Sequence, residues 1–226
     1  MGSQAFRNNA DLTIAMSGNL LDNALFSDCE NLRITLSDGS TFIKESALTN
    51  CSGLIEIHIP NSVSSIGANA FHNCTNLKNI IIPNKVTSIE ERTFEHCTKL
   101  TKVTIPNSVV SLGWFAFHEC SSLTRIVIPN HVATISEFAF ADCSLLTNVT
   151  LGSGVTSIEG SAFHNTPIRQ LRCYAVVPPK LPGVVNGSFS ADLIKGATLY
   201  VPAGTGMAYA ESDWKIYFEN IVEMEE

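Results

Sequence analysis

Seven cysteines and six histidines are the side chains of this 226-residue chain best suited to bind a metal ion or form cross-links. Five of the cysteines recur at a spacing of 23 residues: Cys51, Cys74, Cys97, Cys120 and Cys143. In stacked repeats such side chains point the same way from backbones about 4.8 Å apart, whereas a disulfide needs two Cβ atoms that face each other. The spacing therefore predicts a ladder of buried free thiols. No C-x-x-C motif of the kind that binds zinc is present.

Three of the histidines, His72, His118 and His164, also share one position of the repeating unit, directly after a phenylalanine. They lie two units apart, which corresponds to about 9.6 Å at the spacing of adjacent strands. A zinc ion held at about 2 Å from each nitrogen could not be shared over that distance. We therefore expect exposed loop histidines, no metal site and no cofactor.

Catalytic motifs are absent from the sequence. No nucleophile, base and orienting residue recur at motif spacing, and there is no glycine-rich phosphate loop or H-E-x-x-H sequence. Aspartates and glutamates are scattered over expected loops, so a catalytic pair of carboxylates could form only through the fold. The sequence favours a protein without enzymatic activity.

The cysteines belong to a block that recurs every 23 residues and whose first regular copy, Leu54 to Cys74, reads L-x-x-I-x-I-P-x-x-V-x-x-I-x-x-x-A-F-x-x-C. A repeat of this length is typical of solenoids, in which each unit buries its apolar side chains only by stacking on its neighbours. The repeated prolines are Pro60, Pro83, Pro106 and Pro129, and the repeated phenylalanines are Phe71, Phe94, Phe117, Phe140 and Phe163. The repeat predicts one elongated body of about eight turns.

Each unit is predicted to contribute one short strand to a parallel sheet. In the first regular unit, Ile57 and Ile59 alternate with polar residues, as on a half-buried strand. A second apolar run, Val63 and Ile66, follows a Pro-Asn turn, because proline ends the strand. Ala70–Cys74 is expected to form one helical turn that its phenylalanine packs onto the core.

The regularity of the repeat divides the chain into three segments. Residues 1–46 are interpreted as degenerate N-terminal repeats, residues 47–172 as regular repeats and residues 173–226 as a C-terminal cap. The first degenerate turn is predicted at Ala5–Phe6. A cap is needed because the last apolar layer of a repeat stack would otherwise face water. The aromatic residues expected to cover that layer are Trp214, Tyr217 and Phe218.

The register of the repeat changes after Phe163. Thr166 stands where the preceding units have cysteine, and Arg169 stands where they have an inward-facing leucine. Leu171 and Cys173 are still expected to form the next strand. The stack is therefore predicted to become irregular near its boundary with the cap.

Charge and hydropathy argue against two classes of partner. The formal net charge is −7 at pH 7 and only 14 residues are lysine or arginine, so the basic surface that nucleic acid or anionic lipid requires is missing. No run approaches the roughly 18 apolar residues of a spanning helix. Residues 1–6 lack the features of an export signal, although Met-Gly-Ser is also compatible with an artificial start that replaced one. We expect no nucleic acid partner and no direct membrane insertion.

The block I-P-x-x-V-x-x-I-x-x-x-A-F-x-x-C resembles the 23-residue leucine-rich repeat of the BspA-like bacterial surface proteins. The resemblance covers Phe26 to about Arg172, and the tail is also similar to the C-terminal end of such proteins from Bacteroides-type bacteria. It implies an α/β repeat fold, a leucine-rich-repeat solenoid with short parallel strands and a C-terminal cap. Family members are typically exported and several are linked to adhesion to host proteins, so the resemblance implies a cell-surface or secreted binding protein. It carries no catalytic residues.

One surface of the predicted solenoid has the geometry of a binding face. It consists of the outward side chains of the first strand of each unit, which lie side by side and can act together. Ile81 and Val127 are apolar on a face that water should reach, although a mixed row of this kind is also typical of a plain solvated strand. These candidates, called the face residues, are Glu56, His58, Asn79, Ile81, Lys102, Thr104, Arg125, Val127, Asn148 and Thr150.

Two functions fit these observations. The favoured one is a non-catalytic cell-surface protein that binds a host or extracellular matrix protein through the face residues, as in adhesion. The alternative is a structural or intracellular scaffold for protein interactions, without an external ligand. An export signal upstream of Met1 in the native reading frame would favour the first function, and a native start at Met1 would favour the second.

Overall fold

The computed structural model describes residues 10–22, 25–26, 29–182 and 187–225. The degenerate turn predicted at Ala5–Phe6 therefore lies outside the described residues. Within them the chain forms a parallel β-solenoid of about nine turns with few helices, which confirms the fold class expected from the repeat. Most regular turns contain two short strands.

The first row of strands contains the longer strand of each turn. Its members are β1 (Thr13–Met16), β2 (Leu32–Leu36), β4 (Leu54–His58), β6 (Asn79–Ile81), β8 (Lys102–Thr104), β10 (Arg125–Ile128), β12 (Asn148–Leu151), β14 (Gln170–Cys173), β15 (Thr198–Val201) and β16 (Asn220–Glu223). They run parallel, and the repeat sets their register, so that Ile126 lies beside Val149 of the next turn. Hydrogen bonding divides this row into three parts: β1-β2-β4, β6-β8 and β10-β12-β14-β15-β16.

The second row contains two-residue strands that follow the proline turns. They are β3 (Phe42–Ile43), β5 (Ser65–Ile66), β7 (Ser88–Ile89), β9 (Ser111–Leu112), β11 (Thr134–Ile135) and β13 (Ser157–Ile158). β3 pairs with β5, and β7, β9, β11 and β13 pair in that order. From β5 onward each strand turns a hydroxyl side chain outward and buries an aliphatic one. The apolar run at Val63 and Ile66 therefore belongs to a second ladder.

The segment that carries the phenylalanine is a series of tight turns, and the helical turn predicted for Ala70–Cys74 is wrong. Alternate amides donate to the next unit, as the Phe71 N–H does to the Thr93 carbonyl at 2.9 Å, whereas a helix would keep these bonds within the segment. The pattern requires left-handed residues, Asn69 (φ 57°) and Asn73 (φ 59°) in the first regular unit. Asparagine tolerates this conformation better than most residues with a side chain.

A column of stacked phenylalanines forms the centre of the core. Its members are Phe71, Phe94, Phe117, Phe140, Phe163 and Phe189, each at most 4% exposed. Consecutive rings lie 5.1 to 5.4 Å apart and within 13° of parallel. At the C-terminal end, Phe189 packs against Trp214, Tyr217 and Phe218. These three aromatic residues are buried and cover the last layer of the column, as the sequence predicted.

Arg169 does not take the inward position predicted for it. Asn148 pairs with Gln170, so this unit is one residue shorter than the 23-residue repeat. The shortening places Ile168 in the core, where it is 0% exposed, and turns Arg169 outward. There its Nη1 donates to the Leu193 carbonyl at 3.1 Å. Because the unit is one residue shorter, the Arg169 guanidinium is not buried without a partner, which would cost roughly several kcal/mol.

The parallel ladder continues past residue 173, into the range predicted as a cap. The strand expected at Leu171 and Cys173 is β14, and β15 and β16 extend the ladder from it. Within the described ranges, the helical segments with complete bounds are short: α1 (Ala191–Ile194), α2 (Gly206–Ala210) and the 3-10 turns Gly18–Leu20 and Asp213–Ile216. Among the described residues, no helix has the length and hydropathy needed to cross a bilayer.

The ladder of buried thiols is confirmed. All seven cysteines are buried, and the five cysteines of the ladder, Cys51, Cys74, Cys97, Cys120 and Cys143, are free thiols. From Cys74 to Cys143, each thiol of the ladder donates to a backbone carbonyl of the preceding unit, as Cys120 Sγ does to the Phe94 carbonyl at 3.2 Å. Thr166, which replaces the cysteine, makes the equivalent contact, with its Oγ1 donating to the Phe140 carbonyl at 2.8 Å. The position therefore suits a small side chain that can donate a hydrogen bond to a buried backbone carbonyl.

Thiol labelling at pH 8 is expected to be undetectable in the native protein and complete after denaturation. Burial raises the pKa of Cys51 and of Cys97 to about 12, which lowers the reactive thiolate fraction at pH 8 by about 1000-fold relative to a thiol of ordinary pKa. A thiol-reactive dye with and without guanidinium chloride measures the effect. The exposed variant Ser52→Cys should react at once in the native state. Rapid native labelling of the wild-type protein would contradict the buried ladder.

Candidate functional site

The face residues lie on strands β4, β6, β8, β10 and β12, and their side chains point away from the core. All are exposed except Thr150, which is half-buried. The inward residues between them, such as Ile80 and Ile126, are 2% exposed, so the alternation along each strand fixes the outward direction. Ile81 is 69% exposed and Val127 is 60% exposed, which makes both available to a partner.

Strand pairing brings face residues from adjacent turns side by side. Ile81 on β6 lies beside Thr104 on β8. Arg125 on β10 lies beside Asn148 on β12. Since paired backbones are about 4.8 Å apart, one partner side chain can contact two turns at once.

Two grooves open on this face where the strand ladder is interrupted, between β4 and β6 and between β8 and β10. The first groove has a volume of about 610 Å³, and the face residues that line it are Glu56, His58, Asn79 and Ile81. The second groove has a volume of about 670 Å³, and the face residues that line it are Lys102, Thr104, Arg125 and Val127. Asn148 and Thr150 are not among the lining residues of either groove.

The two grooves differ in charge. The first contains the carboxylates of Asp38 and Glu56 beside His58. The second contains Lys102 and Arg125 and no carboxylate among its lining residues. On a chain of net charge −7, the second groove is a local concentration of positive charge. Such a groove suits a partner that presents a carboxylate.

Residues outside the predicted face also line the grooves, among them Asp38, Val103 and Ile105. Asp38 lies in the turn after β2, in a degenerate unit to which the regular repeat assigns no register. Val103 and Ile105 occupy positions that the repeat assigns to the core, yet both are only partly buried. They form an apolar floor in the second groove because none of the described strands pairs with β8 on that side. No signal in the sequence marks this interruption.

The histidines predicted to be exposed do not all lie at the surface. His164 is exposed, but 27% of the His72 side chain and 15% of the His118 side chain reach solvent. Their turns are held against the turns of adjacent units by backbone hydrogen bonds, which covers one side of each imidazole. Burial lowers the pKa of His72, and the nearby carboxylate of Glu95 opposes that shift.

Comparison with known proteins identifies the repeat. A family model described as the BspA type leucine rich repeat region matches residues 1–97 and 64–179, in six copies. A search of curated proteins found no match. Among solved structures, a leucine-rich repeat protein of T. pallidum is 24% identical with a TM-score of 0.57, and the match covers 69% of this chain and 70% of that chain.

A leucine-rich repeat protein of Bacteroides ovatus is 26% identical with a TM-score of 0.51, and the match covers 76% of this chain but only 48% of that chain. These likenesses show a leucine-rich-repeat fold, and solenoids of this kind generally mediate protein–protein interactions and are generally non-catalytic. Because the family model matches well over half of its length, the chain belongs to the BspA-type leucine-rich repeat family.

Proposed function

We propose that this protein is a non-catalytic binding protein that engages another protein through the face residues at the two grooves. The main support for the proposal is that face residues line both grooves. In each groove, polar and charged side chains lie beside an exposed aliphatic one, Ile81 in the first groove and Val127 in the second. Proteins bind at surfaces where charged and aliphatic groups can be desolvated together.

The second groove offers the stronger anchor of the two. Arg125 and Lys102 supply the positive charge, and Val127 together with the floor residues Val103 and Ile105 supplies apolar surface. Arginine is enriched among residues that dominate binding energy, and its planar guanidinium can hold a carboxylate with two hydrogen bonds. We infer a partner that places an acidic side chain next to an apolar one.

The family resemblance supports a place of action outside the cell. We propose that the protein is exposed on the cell surface or secreted, and that its partner is a host or extracellular matrix protein. The native reading frame upstream of Met1 tests this directly, because an export or lipoprotein signal there is expected. A native start at Met1 would instead indicate an intracellular scaffold.

Arg125→Ala is expected to weaken binding of the partner about 30-fold, equivalent to about 2 kcal/mol. Its outward side chain is not needed for folding, so circular dichroism should be unchanged. The partner would first be captured from matrix and serum proteins on immobilised protein, and affinities would then be measured by surface plasmon resonance. Ile81→Ala, in the first groove, is expected to weaken binding in the same assay. Ser111→Ala, outward on the second row, is the matched control.

Either of two results would contradict the proposal. The first is wild-type binding by both Arg125→Ala and Ile81→Ala together with weakened binding by Ser111→Ala, which would place the binding surface on the second row. The second is failure of the wild-type protein to retain any matrix or serum protein, which would favour the scaffold function.

A further inference from the structure

Four ionisable side chains from three consecutive units meet on the turns that carry the core phenylalanines. Glu95 occupies, in the middle unit, the position that His72 and His118 occupy on either side. His96 follows it in a left-handed conformation (φ 58°). Its ring lies between those of His72 and His118, with centroids 5.7 Å from each. His72 and His118 lie two units apart, as the sequence predicted, and the His96 imidazole occupies the space between them.

Glu95 is a buried carboxylate with an incomplete set of hydrogen bonds. Its side chain is 7% exposed, and Oε1 lies 3.2 Å from His118 Nδ1. Oε2 has no hydrogen-bond partner among the described residues, since His72 Nε2 at 3.5 Å and Arg92 Nε at 3.7 Å make only ionic contacts. A carboxylate removed from water needs a cation or several donors to offset the lost hydration. Arg92 approaches only Oε2 and makes no hydrogen bond to it, so the incomplete hydrogen bonding favours a further cation at Glu95.

Three side chains of the cluster present donor atoms at the spacing of a metal site. Glu95, His96 and His118 each offer one ligand atom, and these atoms all lie within 4.8 Å of one another. Glu95 Oε1 lies 3.2 Å from His118 Nδ1 and 4.0 Å from His96 Nε2. Ligands of a tetrahedral zinc ion lie about 3.3 Å apart, given bonds of about 2.0 to 2.1 Å. His118 already has this spacing, and the half-exposed His96 needs only a small rotation.

Carboxylates hold the far nitrogens of both histidines. His96 Nδ1 lies 2.9 Å from Glu119 Oε2, and His118 Nε2 lies 3.2 Å from Asp142 Oδ2. Asp142 is itself fixed by Asn165, whose Nδ2 donates to Oδ1 at 2.7 Å. Histidines that bind metal ions generally donate their other N–H to a carboxylate in this way, which fixes the tautomer and the ring orientation.

This arrangement directs two nitrogen lone pairs toward one carboxylate. In neutral His96 and His118, a proton on the nitrogen nearest Glu119 or Asp142 leaves the other nitrogen of each ring as an acceptor. Both acceptors then face Oε1 of Glu95, whereas the nearest nitrogens of His72 and Arg92 contact Oε2 at 3.5 and 3.7 Å. A dication placed among the three groups would satisfy all of them.

We propose that Glu95, His96 and His118 form a binding site for a transition-metal dication, with zinc as the best match, and that Glu119 and Asp142 orient the two imidazoles. Two nitrogens and one carboxylate oxygen suit zinc, whereas calcium and magnesium prefer oxygen ligands alone. Water completes the tetrahedral coordination at the fourth position. The ion would join the turns of two adjacent units and so stabilise the solenoid by binding only the folded chain.

Calorimetric titration of zinc chloride into tag-free protein tests the proposal, with thermal unfolding as a second readout. The wild type is expected to bind one ion and to unfold at a higher temperature when zinc is present. His96→Ala and His118→Ala should each weaken zinc binding by at least about 100-fold. Glu119→Gln keeps the size of the side chain but removes its charge, and should weaken zinc binding by about 10- to 100-fold. His96 is partly exposed, so His96→Ala is expected to fold normally without metal, as circular dichroism would show.

His164→Ala is the matched control, because it removes an exposed imidazole from the repeat position of His118 and should leave zinc binding unchanged. Cobalt absorption separates this site from the cysteines, since ligation by nitrogen and oxygen gives no thiolate charge-transfer band. Absence of zinc binding to the wild type, a thiolate band, or undiminished binding by both His96→Ala and His118→Ala would each overturn the proposal.

Discussion

Replacing Phe117 by alanine is expected to lower the free energy of unfolding by about 3 to 5 kcal/mol. The ring is 0% exposed and stacks on Phe94 at 5.2 Å and on Phe140 at 5.1 Å. Its neighbours cannot move into the cavity because ladder hydrogen bonds to adjacent turns fix their backbones, as at the Phe94 N–H. Urea unfolding followed by circular dichroism measures the loss.

Phe115→Ala is the matched control for this prediction. Phe115 lies two residues away but is only partly buried, and it packs on Phe138 at 4.9 Å and beneath the Arg92 guanidinium at 5.0 Å. Losing such contacts is expected to cost about 0.5 to 1.5 kcal/mol. Equal losses from Phe115→Ala and Phe117→Ala would show that the phenylalanine column is not the main source of stability.

Trp214→Ala is expected to destabilise the C-terminal turns by about 3 to 5 kcal/mol. The indole is 0% exposed, lies 5.9 Å from the ring of Phe189, and donates from Nε1 to the Pro179 carbonyl at 2.8 Å. Its removal would expose the last layer of the phenylalanine column to water. Because each repeat contacts only its neighbours, the damage should remain near that end.

Hydrogen exchange resolved along the chain measures the effect of Trp214→Ala. Faster exchange is expected in β14, β15 and β16, with β4 to β8 retaining their protection. The second tryptophan provides the control: Trp114 is 55% exposed, so Trp114→Ala should change stability by no more than about 0.5 kcal/mol. Uniform loss of protection along the whole chain after Trp214→Ala would contradict a local cap.

The parts of the fold that repeat could be predicted from the sequence. The 23-residue spacing of apolar positions places Phe71 and Phe94 in one column and Cys74 and Cys97 in one ladder, since a solenoid stacks equivalent positions. The same spacing predicts the outward direction of Arg125, because side chains alternate along a strand. The cap aromatics were predictable for a related reason: Trp214 is a large apolar side chain that follows the last repeat.

Features that depend on geometry between units were not predictable in this way. Tight left-handed turns replace the expected helical turn because their amides bond to the next unit, and local propensity carries no information about that partner. Ile168 takes the place of Arg169 through a one-residue deletion that apolar spacing alone could reveal only after the strand pairing was known. The interruption beside β8 exposes Val103 although its position in the repeat is a core position.

The cluster around Glu95 was missed because two repeat positions had to be considered together. His72 and His118 occupy one row and His96 the adjacent row, so a search within a single row separates the histidines by two units. The turn conformation brings the rows into contact. A comparison of neighbouring positions across adjacent units would have found the cluster from the sequence.

Hydrogen exchange of the complex with the captured partner tests whether the face residues bind a protein. Slower exchange is expected at the two grooves, in segments 54–62, 79–82, 101–105 and 124–128, while the second-row strands β9, β11 and β13 exchange as in the free protein. Protection confined to the second row or to residues 187–225, with both grooves unchanged, would contradict binding at the face residues.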